Sequence, residues 1–170
     1  MKYFTPDLIA RLDAPEAAVA DAADAEWDRR LEEYEEGLSR WMPKLPEHMR
    51  AFNELLLHDA RVSSMGQYGD RFVLVLLKGI PPRDLVTLTY TLAEAPAIDK
   101  EALPPGLRSP VMDYQYNEFA VVRDGDDPLY EESILFGNGW EVRLRFGDIN
   151  VSIGEPIYAA PAQETSAVLA

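Results

Sequence analysis

The hydrophobic period of this 170-residue chain changes once, near residue 59, and that change sets the fold class. Before it, apolar residues recur at intervals of three and four, which is the period of an α-helix. After it, apolar and polar residues alternate, which is the period of a β-strand. The order predicts an α+β fold, in which N-terminal helices pack on one face of a mostly antiparallel sheet of about six or seven strands.

The helical part, residues 1–58, is predicted to hold three helices. Thr5 followed by Pro6 marks the start of the first, because a threonine cap with proline at the first helical position is a typical helix start. A longer helix is predicted from about Glu16 to Met42, and a third ends near His58. The long helix carries an aromatic and aliphatic stripe at spacings of four, three, four and three: Trp27, Leu31, Tyr34, Leu38 and Trp41.

The sheet part, residues 59–158, reads as a series of hairpins. The apolar run at residues 72–77 predicts a central strand that is buried on both faces, one of them under the long helix. Asn138-Gly139 predicts a type I′ hairpin turn, because both central residues of that turn need positive φ. The proline-rich residues 93–110 predict a linker or long surface loop.

Both parts belong to one predicted domain, 1–158, since residues 93–110 leave too little chain on either side for two comfortable cores. Residues 159–170 contain small residues and little apolar bulk, and they predict a flexible tail.

Composition narrows the chemistry and the partners. The chain has 30 acidic and 16 basic residues, a net charge of −14 and no cysteine. Phosphate-backbone binding depends on clustered lysine and arginine, so nucleic acid is not expected as a partner. The missing cysteines exclude disulfides, Fe–S clusters and a thiol nucleophile. Without a secretory signal or a run of about 18 apolar residues, a cytoplasmic protein that does not bind membranes is expected.

Four residues are candidates for catalytic chemistry. His58 and Asp59 lie where the helical pattern meets the first strand, and a histidine held by a carboxylate can act as a general base. Adjacent residues of an extended chain face opposite sides, so Asp59 can orient His58 only if the backbone turns there. Asp113 and Glu118 lie on opposite faces of a predicted strand and could join acid–base chemistry if the fold supplies a partner. The structural alternative is a helix-end histidine and carboxylates that face water or bond to amides.

Metal, calcium and phosphate sites are not predicted. His48 and His58 are ten residues apart, and no HExxH spacing occurs. A calcium loop starting at Asp124 fails, because its sixth position is Leu129 rather than glycine and its twelfth is Leu135 rather than glutamate. The chain also has no glycine-rich phosphate loop and no GxSxG motif, so no cofactor is expected.

The long helix carries the densest charge in the chain. Residues 21–36 hold eight acidic residues and two arginines, a net charge of −6. If Trp27, Tyr34 and Trp41 were exposed, they would be strong interface anchors, and acids such as Glu32 and Glu35 would steer a basic partner. The alternative, which we favour because the sheet needs a cover, is that the aromatic stripe packs on the sheet and the acids form the solvated face.

Three segments carry a family resemblance. They are the opening MKYFTPDL, the tryptophans and tyrosine at helical spacing, and LHDARV at residues 57–62. Together they resemble an uncharacterised family of bacterial proteins of unknown function, most clearly over the first 80 residues. The resemblance implies a bacterial cytoplasmic protein, and it supplies no activity and no catalytic residue.

The sequence therefore supports hypotheses of different classes. The first is a non-enzymatic acidic binding module for another, basic protein, because the charge is high and no catalytic constellation is recognisable. The alternative is an enzyme or small-ligand-binding protein with a pocket around His58 and nearby carboxylates. A third hypothesis is self-association through the aromatic stripe.

Overall fold

The computed structural model describes residues 1–80 and 82–157, so the tail predicted at residues 159–170 lies outside the described residues. The α-helices of this part of the chain are α1 (Pro6–Leu12), α2 (Ala17–Trp41) and α3 (Glu47–Asn53). Short 3₁₀ helices occur at Met42–Lys44 and at Pro105–Leu107. The strands are β1 (Ala60–Tyr68), β2 (Arg71–Lys78), β3 (Arg83–Leu92), β4 (Ala97–Asp99), β5 (Asp113–Arg123), β6 (Leu129–Phe136) and β7 (Glu141–Ile157).

The seven strands form one antiparallel sheet that closes on itself. Their order is β3-β2-β1-β5-β6-β7-β4, and β7 also pairs with β3. The long strand β7 makes this closure, because its residues 141–146 pair with β6 and its residues 146–157 pair with β3. Six strands therefore make a barrel, and β4 adds to the start of β7. The predicted α+β fold is confirmed, whereas the closure of the sheet was not predicted.

The core lies inside the barrel and follows the period-two pattern of the strands. In β2, Phe72, Leu74 and Leu76 are buried, and their partners in the register, Tyr90, Leu88 and Val86, are buried beside them in β3. The intervening residues of β2 are half-buried on the outer face. The prediction that residues 72–77 are buried on both faces under the long helix was therefore wrong, because α2 packs along β5 instead.

The helices begin and end largely where their sequence signals fall. The Thr5 hydroxyl accepts a hydrogen bond from the Leu8 amide at 3.3 Å, which confirms the predicted cap of α1. Helix α3 is shorter than predicted, since it ends at Asn53 rather than near His58. Its buried Phe52 lies 6.3 Å from both Tyr90 and Phe119, measured between ring centroids, so α3 packs its apolar face against the barrel core.

Two loop predictions need correction. The hairpin at Asn138-Gly139 exists, but of these two residues only Gly139 has a positive φ, of 90°. The Gly139 amide donates to the Phe136 carbonyl at 2.9 Å, so the turn starts one residue earlier and is not type I′. Residues 93–110 are not a plain linker, because they contain β4 and one of the 3₁₀ helices. Because this strand is short and prolines surround it, the segment shows no clear alternation of apolar and polar residues from which a strand could be predicted.

Candidate functional site

The corner between α3 and β1 brings His58 and Asp59 together. Asp59 has a φ of 63°, in the left-handed region that few residues other than glycine adopt, and this turn reverses the direction of the chain. The His58 Nε2 atom consequently lies 3.5 Å from the Asp59 Oδ1 atom. The His58 Nδ1 atom is 2.5 Å from the Gln115 carbonyl oxygen, and a carbonyl only accepts, so Nδ1 is the donor in this hydrogen bond.

The other two catalytic candidates do not join this corner. Glu118 is buried on β5, where its carboxylate accepts hydrogen bonds from the backbone amides of Lys2, Tyr3 and Phe4 at 2.6 to 2.7 Å. Asp113 begins β5 opposite Arg61 of β1. Glu118 thus holds the N-terminal segment against the barrel, and the four candidates are not assembled around one point.

A cleft of about 320 Å³ has Tyr116, a neighbour of His58, in its lining. The Tyr116 ring is 5.6 Å from the His58 ring and 5.1 Å from the Trp27 ring, between centroids. The cleft is bounded by the end of α1, the loop at residues 103–109 and the facing parts of β5 and β6. Its apolar lining consists of Ile9, Leu12, Leu103, Leu107 and Leu135, and its polar lining includes Asp13, Ser109, Gln115 and Tyr116.

The aromatic stripe of α2 packs against the N-terminal segment and β5. The Trp27 ring lies 4.7 Å from the Phe4 ring, and the Tyr34 ring lies 5.5 Å from the same phenylalanine, between centroids. The Tyr34 hydroxyl also accepts a hydrogen bond from the Phe119 amide at 2.9 Å. Trp41 borders a shallow groove of about 170 Å³ between α2 and β5. These aromatic side chains anchor α2, as the packing alternative expected, and they are half-buried.

The acidic face of α2 divides into paired and unpaired carboxylates. Glu33 and Glu36 pair with Arg29 and Arg40 one turn away, and Glu26 pairs with arginines of α1 and α2. The other five acids of residues 21–36 are exposed and form no ion pair within the described part of the chain; they are Asp21, Asp24, Asp28, Glu32 and Glu35. At 3.6 residues per turn they fall within about 80° of arc, as one stripe beside the buried face.

Sequence reasoning missed the most unusual polar group, Glu132. It lies fully buried on β6, and its carboxylate accepts hydrogen bonds from the hydroxyls of Tyr90 at 2.7 Å and Tyr114 at 2.5 Å, and from the Asn117 amide at 3.2 Å. Burial raises the pKa of Glu132 to about 7, although these hydrogen bonds act in the opposite direction. The sequence did contain a signal for this buried acid. Glu132 is two residues from both Tyr130 and Ile134 and four from Phe136, so its side chain lies on the same inner face of the strand.

The described residues contain no group of three or more His, Asp or Glu side chains arranged to hold a metal ion. His48 lies on α3 with its Nε2 atom 2.6 Å from the Asp148 Oδ1 atom. The two histidines therefore have different carboxylate neighbours.

Comparison with known proteins gives no family for this chain. It matches no protein-family model, and the search of curated proteins finds no significant match. The resemblance of MKYFTPDL and LHDARV to an uncharacterised bacterial family therefore stays a prediction. In the described ranges, no helix combines the length and apolarity needed to cross a bilayer.

Proposed function

We propose that the protein is a non-enzymatic binding module that docks a basic protein on the acidic face of α2. The observation that carries the proposal is the stripe of five exposed carboxylates without ion pairs among the described residues, which we call the acidic stripe: Asp21, Asp24, Asp28, Glu32 and Glu35. Fixed charges of one sign on a rigid surface raise the association rate with a partner of the opposite sign.

The anchoring of α2 supports this role. Isolated charges on a flexible segment lose entropy when they bind, whereas α2 is fixed to the barrel by its aromatic face. The groove beside Trp41 is a separate feature, because none of the five stripe carboxylates lines it. A basic partner therefore meets the acidic stripe itself as a rigid, exposed surface.

The test must distinguish the contribution of the acidic stripe to binding from that of the overall negative charge of the protein. A fluorescein-labelled nona-arginine peptide serves as the basic probe, and its affinity is measured by anisotropy over a range of salt concentrations. Replacing the five stripe carboxylates by their amides should weaken binding by about tenfold at low salt, since each exposed ion pair contributes a few tenths of a kcal/mol.

The matched control carries the same loss of charge elsewhere. It replaces five exposed acids outside α2 by amides: Asp70, Asp84, Glu101, Asp126 and Glu155. This variant should retain most of the affinity. Equal losses in both variants would mean that the peptide responds only to net charge, and the proposal would then be abandoned.

A small-ligand function is the second candidate, and the cleft beside Tyr116 favours it. This cleft combines an apolar lining with polar groups, as small-molecule sites do. An enzymatic role for His58 has narrower support, because only Asp59 and Gln115 supply polar partners to its ring among the residues that the structure describes. Self-association and a cytoplasmic location stay predictions.

A further inference from the structure

The cleft beside Tyr116 has the size and lining of a small-molecule site. Its volume, about 320 Å³, lies at the lower end of the range of roughly 300–1,000 Å³ that is usual for such sites. Ile9, Leu12 and Leu107 of its lining are half-buried and keep apolar surface exposed in the cleft, whereas Leu103 and Leu135 are buried. The apolar part of a ligand could therefore be removed from water here.

Several polar groups of the lining have hydrogen-bonding capacity to spare. Within residues 1–80 and 82–157, no partner bonds to the Tyr116 hydroxyl, the Asp13 carboxylate or the side-chain oxygen of Gln115. The Ser109 hydroxyl oxygen accepts from the Val111 amide at 3.0 Å, which leaves its proton free to donate. These groups provide more acceptor than donor capacity, because a carboxylate only accepts.

The backbone is irregular at the wall that carries these groups. Gln115 is an extra residue in β5, since Tyr114 pairs with Phe136 while Tyr116 pairs with Leu135. Asp59, which bonds weakly to the Gln115 amide at 3.4 Å, has the positive φ described above. Bulges redirect side chains and left-handed non-glycine residues carry strain, and both are common next to functional sites.

The charges around the cleft have one sign. Asp13 is the only charged residue of the lining in the described part of the chain, and burial together with the negative charge of Asp59 raises the pKa of the Tyr116 hydroxyl. The nearby Arg108 is not part of the lining; its Nε atom donates to the Leu103 carbonyl at 2.7 Å, and its side chain packs against Gly139. Arg11 is bonded to Asp7 and Glu26. Among the described residues, an anionic ligand would therefore meet acidic charge and no free cation of the lining.

We propose that this cleft binds a small organic cation, an amine attached to a compact apolar body. The apolar body lies against Ile9, Leu12 and Leu107, and the ammonium group lies between the Asp13 carboxylate and the face or hydroxyl of Tyr116. Tyrosine rings attract ammonium groups by cation–π interaction, and Trp27 and His58 hold the Tyr116 ring in place. The inference does not depend on the acidic stripe of α2.

Three probes of nearly equal shape and different charge test the proposal. They are phenethylamine, the neutral 2-phenylethanol and the anionic phenylacetate, each titrated at millimolar concentrations into the ¹⁵N-labelled protein and followed by NMR. Phenethylamine should bind most tightly and shift the amide signals of Leu12, Leu107 and Tyr116. Phenylacetate should bind most weakly.

Two pairs of variants assign the contacts. Asp13→Asn should lower the affinity for phenethylamine by about threefold, the effect of one exposed ion pair, and leave 2-phenylethanol unchanged. Glu16→Gln, an exposed carboxylate three residues away and outside the lining, should change neither. Leu107→Trp narrows the cleft and should weaken all three probes, whereas Leu56→Trp, at a position 80% exposed and outside the cleft, should not.

Several outcomes would overturn the inference. They are the absence of any probe-induced shift at the cleft, equal affinities for the amine and the carboxylate, and an unchanged preference for the amine in Asp13→Asn. Binding that Leu107→Trp leaves intact would place the probes elsewhere and would also overturn it. The ¹⁵N spectrum of each variant shows whether it is folded, so a misfolded variant is recognised and replaced by Leu107→Phe.

Discussion

Two buried glutamates on neighbouring strands, Glu118 and Glu132, accept hydrogen bonds from different kinds of donor. In the register of β5 and β6, Glu118 lies opposite Ser133, and Glu132 lies opposite Phe119, so the two side chains face opposite sides of the sheet. Glu118 points outward and accepts three backbone N–H groups of the N-terminal segment. Glu132 points into the barrel, where its main donors are two tyrosine hydroxyls.

The difference shows that the hydrogen-bond donors, and not burial alone, decide how a buried carboxylate affects the stability of the fold. Backbone N–H groups cannot accept, so Glu118 satisfies three donors that would otherwise be left without a partner. Glu132 sits in an apolar core without a cation among its described partners, and burial raises its pKa to about 7. Glu118 therefore holds two parts of the chain together, whereas Glu132 makes the stability of the barrel depend on pH.

The largest expected effect is the loss of Glu118. Glu118→Ala removes the charged acceptor of the Lys2, Tyr3 and Phe4 amides, and each hydrogen bond to a charged group contributes about 1.5–3 kcal/mol. We expect the free energy of unfolding to fall by about 4 kcal/mol in urea denaturation at pH 7. Because Phe4 packs on Trp27, tryptophan fluorescence should also change before global unfolding.

The control for this prediction is Glu118→Gln, which keeps one acceptor oxygen and should recover about half of the loss. If the alanine variant were as stable as the parent, the three hydrogen bonds would not hold the N-terminal segment. Ser133→Ala, which changes the residue opposite Glu118, tests whether any change in this pair has the same effect.

The second prediction concerns the pH dependence that Glu132 adds. Its pKa is higher in the folded state, about 7, than the ordinary value of 4.5, so the folded state binds the proton more tightly. The resulting stabilisation is complete below pH 4.5 and is lost as the pH rises through about 7. With about 1.4 kcal/mol for each pKa unit, it amounts to roughly 3 kcal/mol.

Glu132→Gln removes this titration. The difference in unfolding free energy between the parent and Glu132→Gln should change by roughly 3 kcal/mol between about pH 4.5 and pH 8, in the direction that favours the variant at high pH. Glu131→Gln is the matched control, because Glu131 lies next in the strand but faces outward, 2.7 Å from the Arg145 Nε atom. A pH-independent difference for Glu132→Gln would contradict the assignment.

The sequence predicted local features of the fold and missed those that depend on contacts between distant residues. The change of period near residue 59 was enough to predict the helices, most strands and the α+β class, because those features are local. The closure between β3 and β7 depends on a pairing of distant strands, which no local pattern specifies. The short strand β4 was not predicted within residues 93–110, because prolines surround it and its pairing partner, β7, lies far away in the sequence.

The candidate sites divide in the same way. His58 and Asp59 could be identified from their position at a corner, but the left-handed turn that joins them is visible only in the backbone. Glu118 was predicted as a possible catalytic carboxylate. Its real partners, backbone amides of the N-terminal segment, could not be recognised because they lie more than 100 residues away in the sequence. Glu132 was overlooked, although an acid at an inward position of an apolar strand is itself a signal of a buried polar network.

The smallest effects come from deleting one tyrosine hydroxyl on each side of the sheet. Tyr114→Phe removes a donor that stabilises the charged form of Glu132, so it should raise the pKa of Glu132 further. Its cost should be about 1 kcal/mol at pH 5 and about 2 kcal/mol at pH 8, since hydrogen bonds to charged groups are stronger. Urea denaturation at both pH values measures this difference.

Tyr34→Phe is the matched variant on the outer side, near Glu118. It removes the acceptor of the Phe119 amide at 2.9 Å and should cost about 1 kcal/mol at both pH values, because neither the amide nor the lost hydroxyl titrates between pH 5 and pH 8. A pH-dependent cost for Tyr34→Phe, or equal costs at both pH values for Tyr114→Phe, would remove the distinction between the two sides. The comparison therefore depends on whether the cost of each variant differs between pH 5 and pH 8, which denaturation of the parent and of both variants at the two pH values determines.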